Sequence, residues 1–179
     1  MRYFDFHSHI LPGMDDGAKD AVMSAHMLAA LKRQGVTRVA ATSHYIPHRE
    51  SPEEYLARRS KAYEFLQRIP GFEELPKVYL GAEIYLEKGI SDRNLTSLCL
   101  EGTNLLMVEF PREPFKDWMT YELENLAYTL PVKLMIAHID RYYHWYKPEE
   151  MDAILQLPAV FQINAEAFEE KHTQKIVLS

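Results

Sequence analysis

Two histidines stand one residue apart near the start of the chain, and two aspartates follow them after a Pro-Gly turn. The segment reads DFHSHILPGMDDGAKD and contains His7, His9, Asp15 and Asp16. Imidazole nitrogen combined with carboxylate oxygen, without cysteine, is a ligand set suited to Mn²⁺, Fe²⁺ or Zn²⁺. A His-x-His pair alone is weak evidence, because residues i and i+2 share one face of any strand. A metal site therefore requires further ligands from later parts of the chain.

Ionisable residues recur at the ends of the predicted strands. Short runs of β-branched and aromatic residues predict strands at Tyr3–Phe6, Arg38–Thr42, Val78–Glu83, Leu105–Phe110, Lys133–Ala137 and Val160–Asn164. The residues that end or follow the first five strands are His7 and His9, then His44 and His48, then Glu83, then Glu109, and finally His138, Asp140 and Arg141. Because the carboxyl ends of parallel strands meet at one edge, we expect these side chains to share a rim.

Segments of helical period separate the strands. Asp20 can cap a helix that ends at Gly35, with an apolar face formed by Val22, Met23, Met27, Ala30 and Leu31. Ser51 caps a second helix that runs to about Arg68. Weaker signals predict helices over Ser91–Leu98, Phe115–Leu130 and Pro148–Leu155. This alternation predicts the α/β class, with parallel strands joined by right-handed crossovers in a sheet or a barrel.

Length and composition bound the classes of protein to be considered. The 179 residues are 47% hydrophobic, which predicts one domain over residues 1–179. A net charge of -6 gives no general attraction to nucleic acid or to an anionic membrane. The single cysteine, Cys99, gives no reason to expect an oxidising compartment. Because no apolar run approaches the ~18 residues of a membrane span and no signal peptide is evident, we expect a cytoplasmic protein without membrane insertion.

The ligand types favour a site for more than one metal ion. A carboxylate can bridge two ions, and Glu83 is the best candidate because it lies between the histidine groups in chain order. Paired ions with such a bridge suit the hydrolysis of a phosphate ester at neutral pH. Arg141 supplies a guanidinium fork that can hold a phosphate in two places. We therefore predict a phosphoric ester hydrolase in which Glu83 and Arg141 are catalytic.

Six segments, in chain order, resemble the polymerase and histidinol phosphatase (PHP) superfamily. They are DFHSHILPGMDDGAKD, TSHYIPH, GAEIY, VEFP, AHIDRY and FQINA, which extend from Asp5 to about Ala165. The resemblance is to the branch of bacterial metal-dependent protein-tyrosine phosphatases of capsule and exopolysaccharide loci, the CpsB/CapC type. It implies a PHP-type distorted (β/α)7 barrel with up to three metal ions, usually manganese, at its rim.

The resemblance also implies a role for each matching residue. His7, His9 and Glu83 would hold one ion, Glu83, Glu109 and His138 a second, and Asp16 and His44 a third. Arg141 would grip the phosphoryl group. The resemblance assigns no role to His48, which is either a further candidate for substrate binding or an ordinary loop residue. Asp15 would orient its loop, although the two aspartates can exchange roles. The implied substrate is a phosphotyrosine cluster in the tail of a tyrosine kinase that controls polysaccharide export, and no cysteine nucleophile is required.

The end of the chain departs from the family pattern. Family members continue into a final strand with a Ser-Asp-x-His motif, whose Asp and His complete the first and third metal sites, and a later arginine assists phosphate binding. This chain ends at EKHTQKIVLS, where His172 is expected at the surface. We therefore expect a barrel that lacks its final strand-helix portion. Oligomerisation is expected to cover the open sheet edge.

Three functional hypotheses remain open from the sequence. The first is an active manganese-dependent tyrosine phosphatase whose remaining part is supplied by another chain or has been lost. The second is a truncated, inactive paralogue that still binds metal, for example at Glu83, Glu109 and His138, and acts as a scaffold. The third is a phosphatase that acts on histidinol phosphate or another small phosphomonoester. The opening segment and the acidic charge balance favour the tyrosine phosphatase over the third.

Overall fold

A computed structural model describes residues 2–168. Within them the strands are β1 (Tyr3–Ser8), β2 (Val36–Ala41), β3 (His44–Tyr45), β4 (Lys77–Leu80), β5 (Glu83–Tyr85), β6 (Leu105–Glu109), β7 (Lys133–Ile136) and β8 (Ala159–Phe161). The α-helices are α1 (Ala21–Arg33), α2 (Pro52–Gln67), α3 (Trp118–Thr129) and α4 (Pro148–Leu155). His172 lies outside the described residues. No helix in residues 2–168 combines the length and the apolar character needed to cross a membrane.

The strands form two parallel sheets that meet end to end, and the predicted α/β class is confirmed. One sheet has the order β1-β2-β4 and the other has the order β3-β5-β6-β7-β8. At the junction the backbone N–H of Gly81 donates to the carbonyl of Ala41 at 2.9 Å, and that of Glu83 donates to Ser43 at 3.1 Å. These bonds continue the pairing of β2 with β4 into that of β3 with β5, so the strands follow one another in chain order.

Two predicted strands differ from the observed ones. The prediction of one strand over Val78–Glu83 is wrong, because the chain breaks at Gly81 into β4 and β5, which belong to different sheets. The last predicted strand, Val160–Asn164, is shorter, since β8 ends at Phe161. The short strand β3 has no counterpart among the predictions, because its two residues are too few to show an alternating pattern.

The predicted helix over Ser91–Leu98 is wrong. The segment forms two short 3-10 turns, Ile90–Asp92 and Thr96–Leu98, separated by extended backbone at Arg93. The Asn94 side chain accepts hydrogen bonds from the backbone N–H of Thr96 at 3.2 Å and from its hydroxyl at 2.7 Å. Such a local bond competes with helix formation, which is why the helical periodicity is not realised here.

Helix α1 begins as predicted but buries a different face. The Asp20 carboxylate caps it by accepting a hydrogen bond from the Met23 N–H at 2.8 Å. Ala21, Ser24 and Leu28 are buried, whereas Val22 is 65% exposed. Ser24 can be buried because its hydroxyl donates to the Asp20 carbonyl at 3.0 Å within the same helix. The predicted face of Val22 and Met23 is therefore wrong in the first turn.

Helix α2 fixes the junction between the two sheets. Ser51 caps this helix and closes a capping box, which determines where its first turn begins. The fully buried Tyr55 donates its hydroxyl to the Ser43 carbonyl at 2.7 Å. One turn later, Arg59 Nη1 donates to the Gly81 carbonyl at 2.8 Å. Both chain crossings between the sheets are thus held by side chains of one helix.

Replacement of the buried Tyr55 hydroxyl tests this junction. We expect Tyr55→Phe to lower the free energy of unfolding by about 1 kcal/mol, because one buried hydrogen bond is lost while the Ser43 carbonyl keeps its bond from Glu83. Urea denaturation measures this change. Tyr128→Phe, at a position 86% exposed, is the matched control and should change stability by less than about 0.5 kcal/mol. Equal stability of the two variants would contradict the assignment.

Candidate metal centre

The carboxylate of Glu83 lies at the centre of four imidazole rings. Glu83 begins β5, and its side chain is only 1% exposed. Its Oε2 lies 3.1 Å from Nε2 of both His7 and His9 and 3.3 Å from Nδ1 of His44. Its Oε1 lies 3.0 Å from Nε2 of His138. Residues at the ends of β1 and β7 and the start of β3 therefore meet at one carboxylate.

Glu109, the last residue of β6, brings a second buried carboxylate beside the first. Its Oε1 lies 3.1 Å from Nδ1 of His44, and its Oε2 lies 3.4 Å from Nε2 of His138. The parallel register of β5 and β6 pairs Glu83 with Met107 and Tyr85 with Glu109, so both glutamates lie near the same sheet edge. Two imidazoles thus lie between the two carboxylates.

The adjacent aspartates of the opening segment have different surroundings. Asp15 Oδ2 lies 2.8 Å from Nδ1 of His9 and accepts the backbone N–H of His44 at 2.8 Å. By contrast, the Asp16 side chain is 81% exposed, with its Oδ1 3.8 Å from Nδ1 of His9 and 3.7 Å from Nε2 of His44. Asp15 is therefore engaged in holding the two histidines, and Asp16 faces the site with its oxygens unengaged by close bonds.

The loop after His9 packs closely against that residue. Gly13 adopts a left-handed conformation with φ of 66°, which turns the chain back. A Cβ added to Gly17 would lie 2.2 Å from the His9 carbonyl oxygen, so a side chain is excluded there. The Gly17 N–H also donates to Asp15 Oδ1 at 3.0 Å. This packing places the loop against His9 and keeps the Asp15 carboxylate beside the His9 ring.

Gln162 and His138 form a contact that the sequence motifs do not predict. Gln162 follows β8, and its Oε1 accepts the backbone N–H of His138 at 2.7 Å and lies 3.1 Å from Nδ1 of His7. His138 has φ of 34° and is the only non-glycine residue within residues 2–168 with positive φ. Strained backbone of this kind clusters at functional sites, where the surrounding structure holds it.

The cluster opens onto a cavity of about 290 Å³. Ten residues line it: His7, His9, Asp16, His44, Glu83, Glu109, Arg112, His138, Arg141 and Asn164. All seven predicted metal ligands and Arg141 are thus brought together. His48 is not among the lining residues, and its ring pairs instead with the carboxylate of Glu87. Arg112 and Asn164 were not predicted as site residues. Arg112 lies in the loop that follows β6, three residues after Glu109.

Two exposed arginines bring positive charge to this cavity. Within residues 2–168, neither Arg112 nor Arg141 has a carboxylate partner. Arg141 lies close enough to His138 for its charge to oppose protonation of that ring. The loop that carries Arg141 is fixed at the preceding residue, because Asp140 accepts the backbone N–H of Asn164 at 2.9 Å. Two guanidinium groups at one cavity suit an anionic ligand.

Neighbouring carboxylates raise the pKa values of three histidines in the cluster. Burial alone would lower the pKa of His9, but Asp15 and Glu83 outweigh it and raise the pKa to about 10. The pKa values of His44 and His138 are also raised, because the neighbouring glutamates outweigh their burial. In the metal-free chain, these rings therefore keep their positive charge to a higher pH than an ordinary histidine does.

The acidic groups shift in the complementary direction. Burial would raise the pKa of Glu83, but hydrogen bonds from His138, His7 and His9 lower it well below its usual range. Burial likewise opposes ionisation of Asp15, and the hydrogen bond from His9 still lowers its pKa to about 2. The centre therefore contains ionised carboxylates at every pH near neutrality, which is the form that binds cations.

The donor atoms fit metal ions. Three groups have ligand atoms within 4.8 Å of one another: His7, His9 and Glu83; His9, Asp16 and His44; and His44, Glu83 and Glu109. Nδ1 of His44 is buried and makes no hydrogen bond of good geometry, although carboxylate oxygens lie 3.1 and 3.3 Å away. A buried nitrogen normally has a partner, so its position among carboxylates fits a metal ligand.

The fold and this cluster define an α/β protein with a candidate metal centre at one sheet edge. Residues 3–177 match the family model described as "Capsular polysaccharide synthesis, CpsB/CapC". The chain belongs to this CpsB/CapC family.

Two curated relatives illustrate the match. Tyrosine-protein phosphatase YwqE of Bacillus subtilis (strain 168) is 34% identical over 145 residues, which cover 76% of this chain and 54% of YwqE. Tyrosine-protein phosphatase CpsB of Streptococcus agalactiae serotype III (strain NEM316) is 28% identical over 178 residues, which cover 94% of this chain and 72% of CpsB. This chain therefore spans about half the length of YwqE.

A solved structure shares the fold. It comes from crystal structures of YwqE from Bacillus subtilis and CpsB from Streptococcus pneumoniae, described as unique metal-dependent tyrosine phosphatases. The TM-score is 0.74 at 24% sequence identity, and the match covers 98% of this chain and 73% of that chain. At this identity the likeness shows the fold.

The shifted pKa values predict how pH changes the stability of the metal-free chain. Raised histidine pKa values stabilise the folded state below the ordinary value of 6.5, and this contribution is lost as pH rises through the folded value of about 10 for His9. The lowered glutamate pKa values stabilise it above 4.5 and are lost in acid. Chelator-treated protein should therefore be less stable to urea at about pH 9 than at about pH 6.

Added Mn²⁺ is the control for this pH effect. A metal ion replaces the protons between the ligands, and its binding strengthens as the histidines lose them, so the loss of stability at high pH should disappear. If the metal-free chain were equally stable at both pH values, the inferred charge state of the histidines would be wrong.

Proposed function

We propose that this chain carries the metal-dependent catalytic site of a tyrosine phosphatase that hydrolyses phosphotyrosine on a protein substrate. The observation that carries this proposal is the Glu83 carboxylate among four imidazoles, at a cavity that also contains Arg141, in a chain of the CpsB/CapC family. The names of the relatives YwqE and CpsB support the substrate class. The alternative of a small-phosphomonoester phosphatase has no comparable support.

The first proposed ligand set is also an observed group of candidate donors, whereas the other observed groups are His9, Asp16 and His44, and His44, Glu83 and Glu109. His138 is assigned with Glu83 and Glu109 because its Nε2 lies 3.0 and 3.4 Å from their carboxylates. His7, His9 and Glu83 would hold one ion, Glu83, Glu109 and His138 a second, and Asp16 and His44 a third. Mn²⁺ is the proposed ion, and iron or zinc could use the same nitrogen and oxygen donors. When bound, such ions activate water at neutral pH and neutralise charge on phosphoryl oxygens.

The surrounding residues orient the proposed ligands. Asp15 accepts from Nδ1 of His9, so Nε2, which lies beside Glu83, is the nitrogen of that ring that would bind an ion. Glu83 is shared by the first two proposed ion positions, because its two oxygens face different histidines. The buried position of this carboxylate excludes water from one side of the centre. These residues supply a fixed geometry before any substrate arrives.

The arginines are the proposed substrate-binding residues. A phosphate would be repelled by the carboxylates of the centre, and the guanidinium groups of Arg141 and Arg112 offset that charge at the cavity. Arg141 lies three residues after His138, within a turn whose conformation Asp140 and Asn164 fix. We assign the phosphoryl oxygens to Arg141 and keep Arg112 as a second cation at the same cavity. His48 remains a weaker candidate, since its ring is paired with Glu87.

We further propose that the chain forms one PHP-type distorted (β/α)7 barrel domain. In support, the strands follow one another in chain order from β1 to β8, and Gln162 connects the ends of these two outer strands. The final strand-helix portion that the resemblance implies for the longer relatives would lie beside β8 and β1, which do not pair with each other within residues 2–168. A second copy of the chain is the other candidate to cover that edge, which makes a homo-oligomer part of the proposal.

The proposed substrate is the phosphorylated tail of a tyrosine kinase that regulates capsular or exopolysaccharide synthesis. The family description, capsular polysaccharide synthesis, supports this process. The cytoplasm is the proposed location, because the single cysteine Cys99 suits a reducing compartment.

Removal of the central carboxylate tests the proposed function. We expect Glu83→Gln to lower Mn²⁺-dependent phosphate release from a phosphotyrosine peptide by at least about 100-fold, because a shared anionic ligand becomes neutral at similar volume. Glu64→Gln, at an exposed position on α2, is the matched control and should retain activity.

The assay is made on the chain alone and on the chain fused to the C-terminal part of YwqE. Hydrolysis in either form that depends on Mn²⁺ and on Glu83 supports the proposal. Binding of Mn²⁺ without hydrolysis in both forms would instead indicate an inactive metal-binding paralogue. Faster hydrolysis of histidinol phosphate than of phosphotyrosine would indicate a small-phosphomonoester phosphatase.

The two arginines give a second prediction. Arg141→Gln should lower kcat/KM by about 10-fold to 100-fold, because a charge-assisted hydrogen bond to the phosphoryl group is worth about 1.5–3 kcal/mol. Arg112→Gln should have a smaller effect in the same direction. Arg68→Gln, at the exposed end of α2, serves as the control and should be neutral. An Arg141 variant with unchanged kcat/KM on the phosphotyrosine peptide would contradict its assignment.

A further inference from the structure

β1 and β8, the first and last strands of the observed order, each lead directly into residues at the candidate metal centre. β1 ends at Ser8 between His7 and His9, and β8 ends at Phe161 just before Gln162. Within residues 2–168, β1 pairs only with β2 and β8 pairs only with β7. No strand pairing therefore holds His7 relative to the β7–β8 side of the site, and a side chain must do so.

Gln162 makes that connection. Its backbone N–H donates to the Ile136 carbonyl at 2.8 Å, and its carbonyl accepts the Ile139 N–H at 2.9 Å. The residue is thus fixed to the chain on both sides of His138. From this position the side-chain Oε1 lies 2.7 Å from the His138 N–H and 3.1 Å from Nδ1 of His7. One oxygen therefore contacts residues from the two ends of the sheet order.

We propose that Gln162 is a positioning residue of the metal centre, orienting His7 through its ring and His138 through its backbone. This inference rests on the metal centre of the proposed function. A side-chain amide oxygen only accepts hydrogen bonds, so Nδ1 of His7 must carry a proton. This leaves Nε2, which lies 3.1 Å from Glu83, as the ring nitrogen that would bind an ion. Asp15 does the same for His9 on the other side of Glu83. Ligating histidines are commonly oriented by such a partner on the second ring nitrogen.

The contact with His138 has a separate consequence. A left-handed backbone is unfavourable for a non-glycine residue and persists where surrounding contacts hold it. The bond from the His138 N–H to Gln162 is such a contact, and the resulting turn directs Nε2 of the ring to within 3.0 Å of Glu83. Loss of the amide oxygen therefore releases two proposed ligands, one in each of the ion sites that share Glu83.

Metal binding to the whole chain tests this role without any activity measurement. Calorimetric titration with Mn²⁺ compares the wild type with Gln162→Met, which keeps the size of the side chain but removes the acceptor. We expect the affinity to fall by about 10-fold to 100-fold, the usual cost of losing a partner of a metal ligand. Gln162→Glu keeps an acceptor oxygen and should retain most of the affinity. Gln156→Met, at an exposed position after α4, should match the wild type.

The outcomes separate this inference from the proposal on which it rests. If the wild type bound no Mn²⁺, the metal centre itself would be wrong, and the role of Gln162 with it. If the wild type bound Mn²⁺ and Gln162→Met bound it equally well, only the role of Gln162 would be overturned. An equal loss of affinity in Gln162→Glu and Gln162→Met would also overturn it, because the acceptor oxygen would not be the cause.

A second measurement uses only the wild type and so does not depend on folding of the variants. Nitrogen-15 NMR of the Zn²⁺-loaded chain reports which ring nitrogen of each histidine carries a proton. We expect a protonated Nδ1 and a metal-bound Nε2 for His7. A metal-bound Nδ1 of His7 would overturn the inference.

Discussion

One buried carboxylate constrains the rest of this molecule. A negative charge that is only 1% exposed is costly unless positive charge and hydrogen-bond donors surround it. Glu83 meets that requirement through four imidazoles that arrive from β1, β3 and β7. The parallel strand order is what allows residues so distant in sequence to converge, because the site residues lie at or just after the ends of β1, β6 and β7 and begin β3 and β5 at the same edge.

A layer of structural residues makes this convergence precise. Asp15 and Gln162 engage the outer ring nitrogens of His9 and His7, while Gly17 allows its loop to lie against His9. Deeper in the molecule, Tyr55 on α2 holds the chain crossing just before His44, and Arg59 holds the crossing just before Glu83. The site thus depends on rigid elements on every side, which suits a centre in which several ligands must meet the same ions.

Most ligand positions could be predicted from the sequence, because His7, His9, Glu109 and His138 lie at or just after the ends of β1, β6 and β7. Glu83 was predicted as a ligand from one continuous strand, whereas it begins β5. The role of Gln162 could not be predicted, because its two partners, His7 and His138, are brought together only by the fold. The break at Gly81 escaped prediction because an apolar run does not show where a strand changes sheet. The buried face of α1 was mistaken for a similar reason, as Ser24 satisfies its hydroxyl within the helix and can replace a larger apolar residue in the core.

The central claim is that Glu83 is a shared ligand of a metal centre built from several strands. A crystal structure of the Mn²⁺-loaded chain, with data collected at the manganese absorption edge, tests it most directly. Anomalous peaks are predicted on both sides of the Glu83 carboxylate, one toward His7 and His9 and the other toward Glu109 and His138. Anomalous peaks that are absent, or that lie away from Glu83, would contradict the claim.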